Sequence, residues 1–194
     1  SPETSVNVAD LGEMPLQIAL LKHFEIVRVT PDLLKFVLER SQNADLADLM
    51  KSENKEKLKQ WLWGRQVVDV LHTFPIQVAA AELLRFFKPL QPRIYSISSS
   101  PKVTPNEVHI TVAAVRYICD GNPRKGVGST FLADRAQDTK VPIFVKKSAN
   151  FRPPTNPDTA MIMVGTETGV GSFRGFLQER QARGDSERNW LFFG

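Results

Sequence analysis

Apolar residues in the first ninety positions recur mainly at helical spacing. One stripe of an amphipathic helix is formed by Leu33, Leu34, Val37 and Leu38. The stripe follows Thr30-Pro31-Asp32, which combines a hydroxyl N-cap, a proline at the first helical position and an acid that favours the helix dipole. This stretch predicts a helix that starts next to Thr30.

The same spacing extends the helical region over most of residues 14–88. Further helices are predicted at residues 15–22, 45–59 and 78–87, and the apolar residues between 61 and 71, including Trp63 and Val68, are expected to pack inward. Residues 1–13 are polar and aperiodic and are expected to form a loop. The first 90 residues are therefore predicted to form a helical domain without a catalytic cluster of its own.

At Arg93 the hydrophobic spacing changes from a helical period to a strand period. Strands are predicted at residues 93–97, 107–119 and 141–147, and a short helix is predicted at residues 131–136. Asp120-Gly121-Asn122-Pro123 predicts a turn after the second strand. We expect the first two strands to pair as neighbours in an antiparallel sheet or barrel.

The last forty residues combine strand and helix patterns. A rigid, proline-rich connector at residues 151–157 is followed by an apolar strand at 160–164, a glycine-containing turn, a helix at 172–183 and a strand at Asn189–Phe193. This order predicts the opening unit of a doubly wound nucleotide-binding fold. A single unit of this kind leaves its faces uncovered, so it is not expected to be stable alone.

Composition narrows the class of protein without identifying a function. The chain has 194 residues, 42% hydrophobic and 24% charged, which is typical of a globular protein that buries a core. Its net charge of +4 comes with no basic stripe interleaved with aromatic residues, so nucleic acid is not an expected partner. The single cysteine, Cys119, indicates neither a disulfide nor a metal cluster. No apolar run is long enough for a membrane span, and a cytoplasmic location is the default expectation.

Two short motifs carry candidate chemistry. Arg93-Ile94-Tyr95-Ser96 offers a planar guanidinium for phosphate, an aromatic face for stacking and a hydroxyl for hydrogen bonding. Gly126-Val127-Gly128-Ser129 precedes a predicted helix, where small residues let the backbone approach a ligand and free N–H groups favour an anion. Together the motifs suggest a site for a phosphorylated aromatic cofactor.

These motifs, with the glycine turn before Phe173-Arg174, occur in the order seen in the ferredoxin–NADP reductase-like half of diflavin reductases. Within that family, Val108-His109-Ile110-Thr111-Val112, Phe131-Leu132-Ala133-Asp134-Arg135 and Asn189-Trp190-Leu191-Phe192-Phe193-Gly194 most resemble the sulfite reductase branch. The resemblance implies an α+β fold in three parts. These are a helical connecting domain at 1–90, part of the antiparallel FAD-binding β-barrel into which it is inserted at 91–153, and the start of an α/β NADP-binding domain at 154–194.

The resemblance also implies a role for each motif residue. Arg93 would bind the FAD pyrophosphate, Tyr95 would stack on the isoalloxazine ring beside Ile94, and Ser96 would be the catalytic residue that hydrogen-bonds near the reactive nitrogen. The flavin site would be lined by Thr111, Val112 and Ala113, the adenine end by Tyr117, and the pyrophosphate by Gly126, Val127, Gly128 and Ser129. No metal ligand is implied.

The implied activity is hydride transfer from NADPH to FAD, followed by electron transfer through FMN to a sirohaem sulfite reductase subunit. The resemblance implies a fragment that lacks the FMN-binding domain, the first barrel strands and much of the NADP site, so this chain alone is expected to be inactive. In the nucleotide turn, Glu167 stands where the family usually has glycine. Two alternatives remain open: a diflavin reductase that serves a different haem protein, and a non-catalytic interaction fragment.

Overall fold

The computed structural model describes residues 1–185 and 188–194. Within these residues the fold is mixed α/β, with eight α-helices, two 3-10 segments and four two-stranded sheets. The chain divides into two units, the first formed by residues 1–92 and 118–122 and the second by residues 93–117 and 123–194. Each unit is described by itself below.

The first unit is mainly helical, with two small antiparallel sheets. Its helices are α1 (Leu16–Lys22), α2 (Pro31–Ser41), α3 (Ala44–Leu49), α4 (Lys55–Leu62), α5 (Val67–Thr73) and α6 (Ala80–Leu84), with a 3-10 segment at Ser52–Asn54. Its sheets pair β1 (Ser5–Val8) with β2 (Gly12–Pro15) and β3 (Phe24–Glu25) with β4 (Lys88–Pro89). The helical content predicted for this region is confirmed.

A single apolar cluster holds α2, α3 and α5 together. The buried members of this cluster are Leu33, Leu34, Val37, Leu46, Leu49, Val67, Val70 and Phe74. Helix α2 starts as predicted, because the Thr30 hydroxyl accepts a hydrogen bond from the backbone N–H of Leu33 at 3.3 Å. The apolar stripe read from the sequence is therefore the face that α2 buries.

Three details of this unit differ from the prediction. Residues 1–13 contain the β1–β2 hairpin rather than a loop, because Val6 and Val8 are buried in a second apolar cluster. The helix predicted at 45–59 is broken, since the Asn54 side chain donates to the carbonyl of Asp48 at 2.7 Å and replaces a helical hydrogen bond. Trp63 and Val68 are 83% and 57% exposed, so they do not pack inward.

The second unit contains less regular structure before residue 160 than the sequence predicts. Its elements are α7 (Val127–Asp134), β7 (Met161–Gly165), a 3-10 segment at Glu167–Gly169, α8 (Val170–Arg183) and β8 (Asn189–Phe193). Strand β5 (Arg116–Cys119) pairs with β6 (Asn122–Lys125), and the residues between them, Asp120 and Gly121, form the predicted turn. Residues 118–122 of this pair belong to the first unit.

The β7–α8–β8 segment confirms the predicted strand–turn–helix–strand order. Strands β7 and β8 are parallel, with Met161 opposite Asn189 and Gly165 opposite Phe193. Helix α8 carries the side chain of Arg180, which is only 1% exposed and donates to the carbonyl of Thr159 at 2.8 Å. This contact ties the helix to the connector that leads into β7.

Three predicted strands in the second unit are wrong in whole or in part. Residues 93–97 and 107–115 form no regular strand and meet only at an isolated antiparallel bridge, Ile97 with Ile110. Residues 141–147 are exposed and form no strand among the described residues. A strand-like sequence pattern is not enough to form a strand, because the backbone N–H and C=O groups also need a partner strand to pair with. The isolated bridge supplies only one such pairing.

Candidate functional site

The segment that carries Arg93, Tyr95 and Ser96 is extended but not a ladder strand. It leads into the bridge at Ile97, where the backbone N–H of Ser98 donates to the carbonyl of His109 at 2.8 Å. Because the two segments run antiparallel at this bridge, Ser96 precedes it on one side and Thr111 follows it on the other. The bridge therefore joins the two stretches in which the family resemblance predicts flavin contacts.

The turn before α7 is fixed to the end of the second stretch. The backbone N–H of Gly126 donates to the carbonyl of Val115 at 2.9 Å, and the Ser129 hydroxyl accepts from the N–H of Val115 at 3.1 Å. Helix α7 begins at Val127, four residues earlier than predicted, because the backbone N–H of Thr130 donates to the carbonyl of Gly126 at 3.1 Å; the buried Thr130 hydroxyl donates to the same carbonyl at 2.8 Å. Ser129 thus anchors the turn.

Gly128 lies directly against the first motif. A Cβ atom added to Gly128 would lie 2.8 Å from Tyr95 Oη and 3.2 Å from Arg93 Cγ, closer than side-chain atoms pack. Only a glycine lets the helix approach both side chains without displacing them. The structure therefore brings together the cation, the aromatic ring and the glycine turn that the sequence predicts as parts of one site.

The N-terminus of α7 makes the surroundings of Gly128 favourable for a negatively charged group. Its first backbone N–H groups have no partner within the helix, and among the described residues no side chain caps them. The positive end of the helix dipole favours an anion such as phosphate, and the stem of Arg93, whose guanidinium suits the same kind of ligand, packs against Gly128. Tyr95 is half-buried, which leaves part of its ring available for stacking.

The other predicted site residues are placed less closely. Thr111 and Ala113 are exposed, and Val112 and Tyr117 are half-buried, in the stretch that leads from the bridge to β5. Ile94 and Ser96 are exposed in the first motif. Close contacts join Arg93, Tyr95, Gly126, Gly128 and Ser129, whereas the six residues named above belong to the same unit without such contacts to them among those described here.

The nucleotide turn before α8 has one unusual backbone conformation. Glu167 has a φ of 47°, in the left-handed region that favours glycine. Gly165 lies close to the Phe173 ring, since an added Cβ would be 2.9 Å from it. A carboxylate about 4 Å from a phosphate charge would repel it by about 4 kcal/mol at an effective dielectric near 20, before screening by salt.

Sequence reasoning missed a polar contact between residues 98–100 and α8. Ser100 donates its N–H to Gln178 Oε1 at 3.1 Å and its hydroxyl to Glu179 Oε2 at 2.6 Å. The hydroxyl, aided by Lys102, holds the pKa of the Glu179 carboxyl below its ordinary value, although burial opposes this. Gly171 and Gly175, spaced four residues apart on one helix face, were the available signal for such a close approach.

No set of three or more His, Cys, Asp or Glu side chains in residues 1–185 and 188–194 is arranged to hold a metal ion. Over the same ranges, every helix is too short or too polar to cross a membrane.

Comparison with known proteins identifies related chains. Sulfite reductase [NADPH] flavoprotein alpha-components are 40% identical over 182 residues in Baumannia cicadellinicola, 40% over 197 in Bacillus subtilis and 42% over 186 in Sodalis glossinidius. These alignments cover 93%, 100% and 93% of this chain, which spans 30%, 32% and 30% of those relatives. Residues 16–131 match the FAD binding domain family. The chain belongs to the FAD binding domain family.

Proposed function

We propose that this chain is the FAD-binding part of an NADPH-dependent flavoprotein oxidoreductase of the sulfite reductase type. The observation that carries the proposal is the packing of Gly128 against Arg93 and Tyr95, in a chain of the FAD binding domain family. A cation, an aromatic ring and a helix N-terminus at one place suit a ligand that has both an aromatic ring and phosphate groups. FAD has these two features.

In this proposal Arg93 binds the pyrophosphate together with the backbone of Gly126, Val127, Gly128 and Ser129. Tyr95, with Ile94 beside it, stacks on the flavin ring, and Ser96 hydrogen-bonds next to the reactive nitrogen. The opposite stretch contributes Thr111, Val112 and Ala113 to the flavin site and Tyr117 to the adenine end. Bound FAD supplies the redox chemistry, and these residues orient it.

The finer architecture is also part of the proposal. Residues 1–90 form the helical connecting domain, residues 91–153 contribute to an incomplete antiparallel FAD-binding barrel, and residues 154–194 begin the α/β NADP-binding domain. The change from a helical core to extended segments at residue 93 supports the first boundary. The parallel β7–α8–β8 arrangement supports the nucleotide-binding character of the third part.

For the whole protein, we propose hydride transfer from NADPH to FAD and electron transfer through an FMN-binding domain to a sirohaem, iron–sulfur sulfite reductase subunit. The names of the relatives, at 40–42% identity, support this acceptor over the haem proteins of other diflavin reductases. The cytoplasmic location stays a prediction.

FAD and FMN titrations of the purified chain test the proposal. Wild type is expected to bind FAD, detected by quenching of flavin fluorescence, and Arg93→Ala is expected to weaken FAD binding about tenfold, because a charge-assisted contact to phosphate is lost. FMN binding is expected to weaken less, since FMN lacks the pyrophosphate bridge.

Arg28→Ala is the matched control, because Arg28 is an exposed arginine of the first unit and lies outside the proposed site. Its FAD affinity is expected to equal that of wild type. A wild-type chain that binds no FAD in excess would contradict the proposal and favour the non-catalytic interaction fragment. Equal losses of FAD and FMN affinity in Arg93→Ala would contradict the pyrophosphate role.

A further inference from the structure

One side chain of α8 contacts both segments that meet at the Ile97–Ile110 bridge. Arg174 Nη1 donates to the carbonyl of Ser98 at 2.7 Å and lies 3.2 Å from His109 Nδ1. Because a guanidinium is only a donor, His109 Nδ1 accepts here, and the ring proton resides on Nε2, which lies 3.1 Å from Glu107 Oε2. Arg174 therefore links the residue after Ile97 to the residue before Ile110.

The backbone next to Arg174 lies close to these segments. A Cβ atom on Gly171 would lie 2.7 Å from Thr111 Oγ1, too close for a side chain, whereas one on Gly175 would make ordinary contact, at 3.4 Å, with the backbone of Ser98 and Ser99. The Ser99 hydroxyl in turn accepts from the backbone N–H of His109 at 3.0 Å. These contacts leave the bridged segments little room to shift relative to the helix.

We propose that Arg174 is a positioning residue for the flavin site, an inference that rests on the proposed function. Ser96 and Thr111 each adjoin the bridge, so the separation of the two segments there sets the distance between their side chains. Both hydrogen bonds come from one nitrogen, Nη1, so a single group of Arg174 holds the two segments at a fixed separation. Arg174 itself is assigned no contact with the cofactor.

The substitution Arg174→Met tests this role. Methionine keeps a long apolar side chain and removes the guanidinium, and Arg174 is exposed, so global stability is expected to change little. Arg28→Met is the control, since it removes an exposed guanidinium from the first unit. Amide hydrogen exchange of the chain without FAD is expected to become faster at Ser98 and His109 in Arg174→Met only.

The second measurement uses bound flavin. At saturating FAD, the visible circular dichroism of the flavin is expected to differ between Arg174→Met and wild type, because the ring is held in a different orientation. The FAD dissociation constant is expected to rise about tenfold, and Arg174→Lys to restore part of the loss. A residue that merely stabilises the fold would leave the flavin spectrum unchanged at full occupancy.

If Arg174→Met does not fold, His109→Phe replaces it, because this change removes the second acceptor of the guanidinium, together with the contact to Glu107, and keeps Arg174 and its bond to Ser98. It is expected to alter the flavin spectrum in the same direction, by a smaller amount. Unchanged amide exchange and an unchanged flavin spectrum, in a wild-type chain that binds FAD, would overturn the inference alone. Absence of FAD binding by wild type is a different result and would overturn the proposed function with it.

Discussion

Leu33 and Val70 of the first unit have no solvent exposure, whereas Arg93 and Ser96 of the second are exposed. In the helical core, apolar side chains from α2, α3 and α5 fill the space between their own helices. At the candidate site, the tight contact is a glycine backbone against Arg93 and Tyr95. Packing within the chain explains the core residues, whereas the site residues have the ring, cation and close backbone that suit the proposed FAD.

The largest expected effect is the loss of a core side chain. Leu33→Ala is expected to lower the free energy of unfolding by about 2–5 kcal/mol, because it removes buried methyl groups and leaves a cavity. Urea unfolding followed by circular dichroism measures the change. Leu21→Ala is the control, since Leu21 is 63% exposed and its truncation is expected to cost less than about 0.5 kcal/mol. Similar losses for both variants would remove the contrast between core and surface.

A substitution at Gly128 should have the opposite pattern of effects, with a large loss of FAD affinity and a small change in stability. Gly128→Ala is expected to raise the FAD dissociation constant at least about tenfold, because the new methyl group displaces Tyr95 and the stem of Arg93. The free energy of unfolding is expected to change by less than about 1 kcal/mol, because alanine favours the helix and offsets the crowding. Fluorescence titration and urea unfolding give the two quantities.

Gly194→Ala provides the matched control, because no atom lies within 4 Å of the position a Cβ would occupy there. Its FAD affinity is expected to equal that of wild type. If Gly128→Ala lowered stability as much as Leu33→Ala and left FAD affinity intact, Gly128 would belong with the packing residues and the comparison would fail.

The elements that were predicted correctly are specified by residues within them or directly beside them in the sequence. Helix α2 has its cap, its proline and its apolar stripe within twelve residues, and all three are local. The β7–α8–β8 order was predictable because two apolar runs flank a glycine turn and a helix. Gly128 was predictable as a place of close backbone approach, and its motif was expected to share a site with Arg93 and Tyr95, although their direct contact was not predicted.

The elements that were missed depend on partners distant in sequence. Residues 141–147 carry the β-branched and aromatic residues typical of a strand, but a ladder depends on backbone groups of a second strand, and residues 93–97 and 107–115 obtain only one bridge. The β1–β2 hairpin was missed because only two valines mark its buried face. The contacts of Arg174 with Ser98 and His109 join residues 76 and 65 positions apart, which no local pattern reveals.

The smallest expected effect concerns the backbone of the nucleotide turn, where neither packing nor ligand contact decides the result. A residue with a side chain in the left-handed region costs roughly 1–2 kcal/mol, and Glu167 adopts this conformation at φ 47°. Glu167→Gly removes that strain but adds roughly 0.5–1 kcal/mol of backbone entropy to the unfolded chain. The free energy of unfolding is therefore expected to rise by about 0.5 kcal/mol.

Thr168→Gly is the control, because Thr168 lies in the same 3-10 segment without a positive φ. It carries only the entropy cost, so its free energy of unfolding is expected to fall by about 0.5–1 kcal/mol. Urea unfolding of the two variants should give changes of opposite sign, and a loss of equal size in both would show that the turn stores no strain at Glu167.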